Sequence, residues 1–536
     1  MTNLARRIFS QCIPVRDNLS IESHAMALSA AEKLGALISR GYSTYDLDYI
    51  VRAKAIGYYT GFDVLLNDCR HSAAYLRRFI GSRRVSNALA FRAMALRKYI
   101  GSRNSMTWGD ETPITVSENA HTSSSHVGYE ACNLLFANLQ TYLRVMVLYM
   151  RDSQLNNVLV VPRSLADVEM LKQVDPERLI YFDDFVSPSI IEETSSVQQH
   201  FEQVFRDHRR ELQDAFTIDG QSFFPIIEQS LNGLFQHVVP ESFRVRLTVD
   251  RILDHIKPSI VIGARVRRLY DRAFYAAASS RGVPAFVLMH SDIGSDVRFI
   301  HTMGHFTRLK GVFAWGDRQA QLILNDQFSD VEDVHVTGSP LFVRAENSNC
   351  LAKVGSKKRI IYAGTSDDLE EVREITRVIR SSFPNTELIV KVHPGLDHEP
   401  YEQYCREPNV TLVTGARVLE DLLNEVDLLI TTISESSLQS MIRGIPTLYL
   451  SLKGKWDHQL NSIYTFDTQE EQALVVKSGG ALSRAIEHLF ETGKPDTHPV
   501  QNSFLARRIR LHETMDGPVR AIDDILTASL ATPNHG

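Results

Sequence analysis

Cysteine is scarce in this chain: five in 536 residues (Cys12, Cys69, Cys132, Cys350 and Cys405), never spaced as Cys-x-x-Cys. An odd, scattered set argues against a disulfide framework and a zinc-thiolate site, and fits a reducing compartment. Long apolar runs are also missing. Stretches such as Val158-Leu159-Val160-Val161 and Leu428-Leu429-Ile430 are strand-sized, far short of the roughly 18–20 residues that cross a bilayer. Ala5-Arg6-Arg7-Ile8-Phe9 carries charge, but no apolar segment of a secretory signal follows. Neither sign of charge dominates: 58 Lys and Arg against 64 Asp and Glu leave a net charge of −6, which argues against a general nucleic-acid binder. No Asp-x-Asp stands in a sheet-end loop. Asp46-Leu47-Asp48 lies in a region that reads as helical, and Asp183-Asp184 and Asp367-Asp368 read as caps or loop residues.

What is present is a globular composition, 43% hydrophobic and 23% charged, in a chain too long for one ordinary core. Residues 1–105 read as a helical N-terminal region, with Ile21–Ser39 rich in Ala, Leu and Glu and apolar residues at helical spacing over Ser72–Tyr99. This part is basic (Arg70, Arg77, Arg78, Arg83, Arg84, Arg92, Arg97, Lys98, Arg103). It reads as the solvated face of a helical cap or as a surface for anionic lipid or glycan. Residues 106–345 read as a first α/β domain. Its expected elements are a strand at Pro113–Val116, a polar loop Asn119–His126, a long helix through Tyr149, and strands at Asn157–Pro162, Arg178–Phe182, Ser259–Gly263, Gly282–Leu288, Val312–Gly316 and Val334–Pro340. A polar linker, Ala345–Lys358, leads to a second α/β set at 346–480, with strands at Arg359–Tyr362, Glu387–Val392, Val410–Val413, Asp427–Thr431 and Pro446–Leu450. Residues 481–536 read as C-terminal helices packing back on the first domain. The expected fold class is therefore α/β: two Rossmann-like domains facing across a cleft, after an N-terminal helical region.

In open α/β sheets, ligands gather beyond the carboxyl ends of the strands. Several strand ends of the second set carry residues suited to phosphate. Ile361-Tyr362 runs into Ala363-Gly364-Thr365-Ser366, where glycine permits close backbone approach and hydroxyls donate. Val390-Lys391-Val392 ends in His393-Pro394-Gly395, and Ile430-Thr431-Thr432-Ile433 ends in Ser434-Glu435-Ser436-Ser437 ahead of a helix expected over Leu438–Arg443. A serine-rich segment before a helix is also an ordinary cap, and His-Pro after a strand an ordinary turn. Their joint order in one half favours a ligand.

Lys391-Val392-His393-Pro394, then Ser434-Glu435-Ser436-Ser437 and Arg443-Gly444-Ile445-Pro446-Thr447, resembles the HP and S/SS motifs of GT-B glycosyltransferases. Nearest in pattern are bacterial sialyltransferases, Kdo transferases of capsule assembly and CDP-glycerol polymerases of teichoic acid synthesis. Val312–Gly316 with Val336-Thr337-Gly338-Ser339-Pro340 resembles the interdomain passage of that group, and the resemblance covers about residues 257–452. It implies that His393 contacts the donor phosphate, that Ser436 and Ser437 hold it, and that Glu435 reaches a ribose hydroxyl. It also implies a metal-independent enzyme with a nucleotide-sugar donor, CMP-linked Kdo or a sialic-acid-like sugar being favoured.

In the first half Met289-His290-Ser291-Asp292 closes a strand. His290 or Asp292 is the candidate base for an acceptor hydroxyl, although many relatives carry His-Gly where Ser291 stands. Arg265, Arg267 and Arg268 suit an acidic acceptor or donor carboxylate, and the loop Glu118–His121 places His121 on the acceptor side. The expected partners are the nucleotide sugar and a glycan or lipid-linked acceptor, with no nucleic acid. The expected setting is cytoplasmic, with peripheral membrane contact through the basic region. Rival readings are a CDP-polyol phosphotransferase, a UDP-sugar 2-epimerase and a non-catalytic nucleotide-sugar-binding protein.

Overall fold

The computed structural model describes residues 36–38, 133–136 and 140–531, apart from 216, 219–220, 223, 267, 294–305, 326–328, 343–356, 365–367, 394–396, 415–418, 465, 493–497 and 515. The expected strand at 113–116, most of the basic N-terminal region, and His121 fall outside these residues.

The strands in chain order are β1 (Asn133–Phe136), β2 (Asn157–Val161), β3 (Leu179–Tyr181), β4 (Thr217–Ile218), β5 (Gln221–Ser222), β6 (Ile260–Gly263), β7 (Ala285–Leu288), β8 (Gly311–Ala314), β9 (Asp333–Val336), β10 (Arg359–Tyr362), β11 (Glu387–Lys391), β12 (Val410–Val413), β13 (Leu428–Thr431), β14 (Thr447–Leu450) and β15 (Val475–Val476). The helices used below are α1 (Gln140–Asp152), α2 (Pro188–Asp207), α3 (Val239–Ile256), α4 (Leu269–Ser279), α5 (Asp317–Leu324), α6 (Leu369–Ser382), α7 (Ser436–Ile442), α8 (Gly479–Thr492), α9 (His498–Ala506) and α10 (Gly517–Ala531).

One sheet has seven strands in the order β3-β2-β1-β6-β7-β8-β9, a second has six in the order β12-β11-β10-β13-β14-β15, and β4-β5 form a separate hairpin. The pairs β1–β2, β1–β6, β10–β11 and β10–β13 are all parallel. The second order is the 3-2-1-4-5-6 winding of a Rossmann sheet, in which the strand order reverses beside the first strand, and the first, with the hairpin set aside, is the same winding extended by a seventh strand at the edge. The expected pair of parallel α/β sheets is therefore present.

One expectation is corrected. The stretch leading to Tyr149, read as one long helix, holds β1 at Asn133–Phe136 before α1 begins at Gln140. Its run Asn-Leu-Leu-Phe lacks β-branched residues and is too short for periodicity to separate strand from helix. Yet it is the strand beside which the first sheet reverses.

The central strands of the second sheet are buried on both faces. Ile360, Tyr362, Leu388, Val390, Leu428 and Ile430 share one core with Val372, Ile375 and Ile379 of α6 and Leu482 and Ile486 of α8. Ile361, Ile389 and Leu429 face the other way, against Leu422, Leu423 and Ile445. That alternation of two apolar faces is what makes these strands read as continuous hydrophobic runs.

Packing divides the chain into two compact units. One takes Met1–Gln140, Asn156–Ala285 and His301–Leu309; the other takes Thr141–Leu155, Phe286–Ile300 and Lys310–Gly536. In the first unit α2 and α3 pack together, and Phe136 stacks on Phe274 of α4 at 4.3 Å. In the second, the C-terminal segment returns to earlier elements. Asp523 of α10 accepts from the Tyr149 hydroxyl (2.7 Å), the Ser153 hydroxyl (2.8 Å) and the Gln154 amide (2.8 Å). The Arg510 amide donates to the Trp315 carbonyl at 2.7 Å.

Candidate functional site

In the second sheet the reversal lies between β10 and β13, so the loops leaving these two strands flank the crevice in which such sheets take ligands. The loop after β10 carries Ala363 and Gly364, with Thr365 and Ser366 outside the described residues. The loop after β13 carries Thr432 to Glu435 and runs into the first turn of α7 at Ser436 and Ser437, and β11, the other neighbour of β10, ends at Lys391, with His393 two residues beyond. Three chain segments that are far apart in sequence are thus brought to one sheet edge. Pro394 also lies outside the described residues.

The serines divide into two kinds. Ser436 is 5% exposed and Ser437 fully buried. The Ser436 hydroxyl donates to the Ala363 carbonyl at 3.3 Å, beside Thr431, whose hydroxyl donates to the same oxygen at 2.6 Å. The Ser437 hydroxyl donates to the Ser434 carbonyl at 2.8 Å, and the buried phenols of Tyr449 and Tyr464 lie next to it. The Ser436 hydroxyl thus ties the segment after β13 to the β10 loop, while the Ser437 hydroxyl closes a turn within its own segment. Ser434 and Glu435 are half-buried; Ser434 Oγ accepts from the Ser436 amide at 3.3 Å, an ordinary turn ahead of α7. Of the four residues, Ser434 and Glu435 alone keep exposed surface beyond a few per cent.

Lys391 is 8% exposed, and its ammonium donates to the Val392 carbonyl at 3.1 Å. Burial holds it below the usual lysine range. A partly desolvated cation at a strand end is a favourable neighbour for an anion. His393 is exposed; desolvation and then Lys391 hold its imidazole below the ordinary histidine range, while Asp368 pulls the other way. An imidazole that is neutral in the free site becomes a charged donor when an anion arrives.

The other candidates sit at the ends of the first sheet's strands. His290 and Asp292 follow β7 and are both buried. Asp292 Oδ1 accepts from the Ile293 amide at 2.8 Å and faces Arg318 at 3.7 Å. Its Oδ2 is shielded without a hydrogen-bond partner. Burial raises this carboxyl above the usual range, against the pull of Arg318 and Arg508. Arg508 was not singled out by the sequence: it lies over Phe504 at 3.7 Å, and burial pushes it down to about 10. Arg265 is half-buried and Arg268 buried, both in the turn after β6, where the Arg265 carbonyl accepts from the Tyr275 hydroxyl at 2.5 Å; Arg267 is outside the described residues. Gly338 has a left-handed φ of 76°, and a Cβ there would stand 2.4 Å from the Arg510 carbonyl. The C-terminal segment fills the space over Gly338, and the neighbouring Ser339 is fully buried. Among the described residues no group of three His, Cys, Asp or Glu could hold a metal ion, and no helix is long and apolar enough to cross a membrane.

No protein-family model matches the chain, and no curated protein matches it in sequence. Solved structures are similar at low identity. A UDP co-structure of MnaA from S. aureus is 13% identical, with a TM-score of 0.46, over 75% of this chain and 97% of that one. The UDP-GlcNAc 2-epimerase from Neisseria meningitidis bound to UDP-GlcNAc is 11% identical, with a TM-score of 0.44, over 74% of this chain and 100% of that one. UGT2 from Phytolacca americana, complexed with UDP-2fluoro-glucose and pterostilbene, is 11% identical, with a TM-score of 0.45, over 74% of this chain and 99% of that one. At such values the winding of this chain's own sheets carries the fold assignment.

Proposed function

We propose that this protein is a glycosyltransferase of GT-B architecture that moves a sugar from a nucleotide-activated donor, with a CMP-linked Kdo or sialic-acid-like sugar favoured, to a surface-glycan or lipid-linked acceptor. The observation that supports the reading is that Gly364, Lys391 with His393, and the Ser434–Ser437 segment follow the ends of three adjacent strands, β10, β11 and β13, around the reversal of a 3-2-1-4-5-6 sheet. One buried cation, one titratable imidazole and a serine turn suit the phosphate of a departing nucleotide. Lobe boundaries near residues 345 and 480 belong to the same proposal, as does a metal-independent reaction.

In the transfer, the acceptor hydroxyl oxygen bonds to the anomeric carbon as the bond from that carbon to the donor phosphate oxygen breaks. The electron pair stays on the phosphate, where Lys391 and His393 offset the charge, and the acceptor proton passes to a base. His290 or Asp292 is proposed as that base, and Arg265 and Arg268 as the acceptor's anion contacts.

Incubation of purified protein with CMP-linked sugars tests the reading. The expected result is release of CMP that is lost in His393→Ala. Epimerisation of a UDP-sugar with no acceptor present contradicts it in favour of an epimerase. Transfer of a polyol phosphate from a CDP-polyol favours the phosphotransferase. Nucleotide binding without turnover across donors and acceptors favours a binding protein.

A further inference from the structure

The carbonyls of Met289, Ser291 and Ile293, every second one along the segment that follows β7, accept hydrogen bonds from side chains of one short stretch. Trp315 Nε1 donates to Met289 at 2.7 Å, Gln319 Nε2 to Ser291 at 3.0 Å and Arg318 Nη1 to Ile293 at 3.4 Å. Gln319 is itself fixed, since its Oε1 accepts from the Trp315 amide at 2.8 Å. That stretch, the junction of β8 and α5, is covered in turn by the C-terminal segment. A Cβ on Gly316 would stand 2.4 Å from the Arg508 carbonyl oxygen, and the Arg510 amide donates to the Trp315 carbonyl. The segment that carries His290 and Asp292 is therefore held at three points.

The brace leaves the two oxygens of Asp292 in different states. Oδ1 accepts from the Ile293 amide at 2.8 Å and faces Arg318 Nη1 at 3.7 Å. Oδ2 is shielded from solvent and has no hydrogen-bond partner among the described residues. An unmatched acceptor on a buried carboxylate is costly, and a donor brought by a ligand removes the cost. The side chains of Asp292 and Arg318 are 6% and 18% exposed, so water and salt screen the pair weakly. The other ionisable groups acting on Asp292 are Arg508 of the C-terminal segment and the phenols of Tyr449 and Tyr464. Burial raises the carboxyl above its usual range, and Arg318, then Arg508, draw it back.

We propose that Arg318 is a positioning residue for Asp292: it holds Oδ1 beside the Ile293 amide and leaves Oδ2 to take the proton of the acceptor hydroxyl. The inference rests on the transferase reading given above, and of the two bases named there it selects Asp292. As the acceptor oxygen bonds to the anomeric carbon and the bond to the donor phosphate breaks, the hydroxyl proton moves to Oδ2. The electron pair of the broken bond stays on the phosphate. Arg318 acts through the carboxylate, by fixing its place and by its charge.

The test measures CMP release by the full chain from CMP-linked sialic acid and CMP-linked Kdo, with water as the acceptor, across pH. Arg318→Gln is expected to lower kcat about tenfold while KM for the donor changes by less than about twofold. The base works only when ionised, and a carboxylate that loses a facing cation protonates at higher pH. The acid limb of the kcat profile is therefore expected to move up by about one pH unit. Arg318→Lys restores a charge and is expected to return the limb toward its wild-type position. If Arg318→Gln melts below the assay temperature, Arg318→Met, which keeps the apolar stem, makes the same test. A folded neutral variant with the wild-type kcat and acid limb overturns the inference, because a merely structural arginine would alter melting alone. An acid limb that persists in Asp292→Asn overturns it as well. A wild-type chain that releases no CMP from either donor removes the transferase reading, and the inference falls with it.

Discussion

Each hydroxyl of the Ser434–Ser437 turn has its own surroundings, and these separate support from binding. Ser436→Ala removes a hydrogen bond to the Ala363 carbonyl in a buried setting, so it is expected to cost about 1 kcal/mol in urea denaturation. Ser434→Ala leaves the core untouched and is expected to weaken nucleotide binding with little change in stability. Equal losses of stability in the two variants would contradict the division. His393 gives a prediction in pH. Its free imidazole titrates below the ordinary histidine value, and a bound phosphate favours the charged form, so binding takes up a proton in the window between the two. Relative to His393→Gln, the wild-type affinity for CMP is expected to rise as pH falls from about 7.5 toward 6. Titration calorimetry in buffers of different ionisation heat reads the proton uptake directly, and identical pH dependence in the two proteins would speak against it. Gly364→Ala forces a methyl against Asp368 and Tyr362; about a tenfold loss of nucleotide affinity is expected.

At the scale of elements, the second sheet was legible because its central strands are buried on both faces and its strands read as β-branched and leucine runs between polar breaks. Arg359–Tyr362 and Val410–Val413 match the expected strands residue for residue, and β11, β13 and β14 differ by one terminal residue each. The short β15, Val475–Val476, is too small to stand out. β1 was hidden by its leucines. Asp368 was hidden by a helix-cap context that its side chain does not use; its carboxylate accepts instead from the hydroxyls of Tyr362 and Tyr401, six residues before and 33 residues after it. Asp523 and Arg508 were beyond reach for the same reason: a carboxylate that meets α1 from 374 residues away leaves no local pattern. Asp523→Ala leaves the Tyr149 and Ser153 hydroxyls and the Gln154 amide without their acceptor. A loss of about 3 kcal/mol on chemical denaturation is expected, and a loss under 1 kcal/mol would show that these groups find water instead.

For the molecule as a whole, two Rossmann-wound sheets in one chain meet the architectural requirement of the proposed enzyme, and the second supplies the better-defined site. His290 and Asp292 are buried, so an acceptor hydroxyl that is to lose its proton to either, as proposed, must reach a shielded group. The donor side makes the sharper demand. A crystal structure of the protein with CMP tests it most directly. The account predicts phosphate density beyond the ends of β10, β11 and β13, within hydrogen-bond distance of Ser434 and His393; nucleotide density at any other strand edge, with His393 turned away from it, contradicts the account.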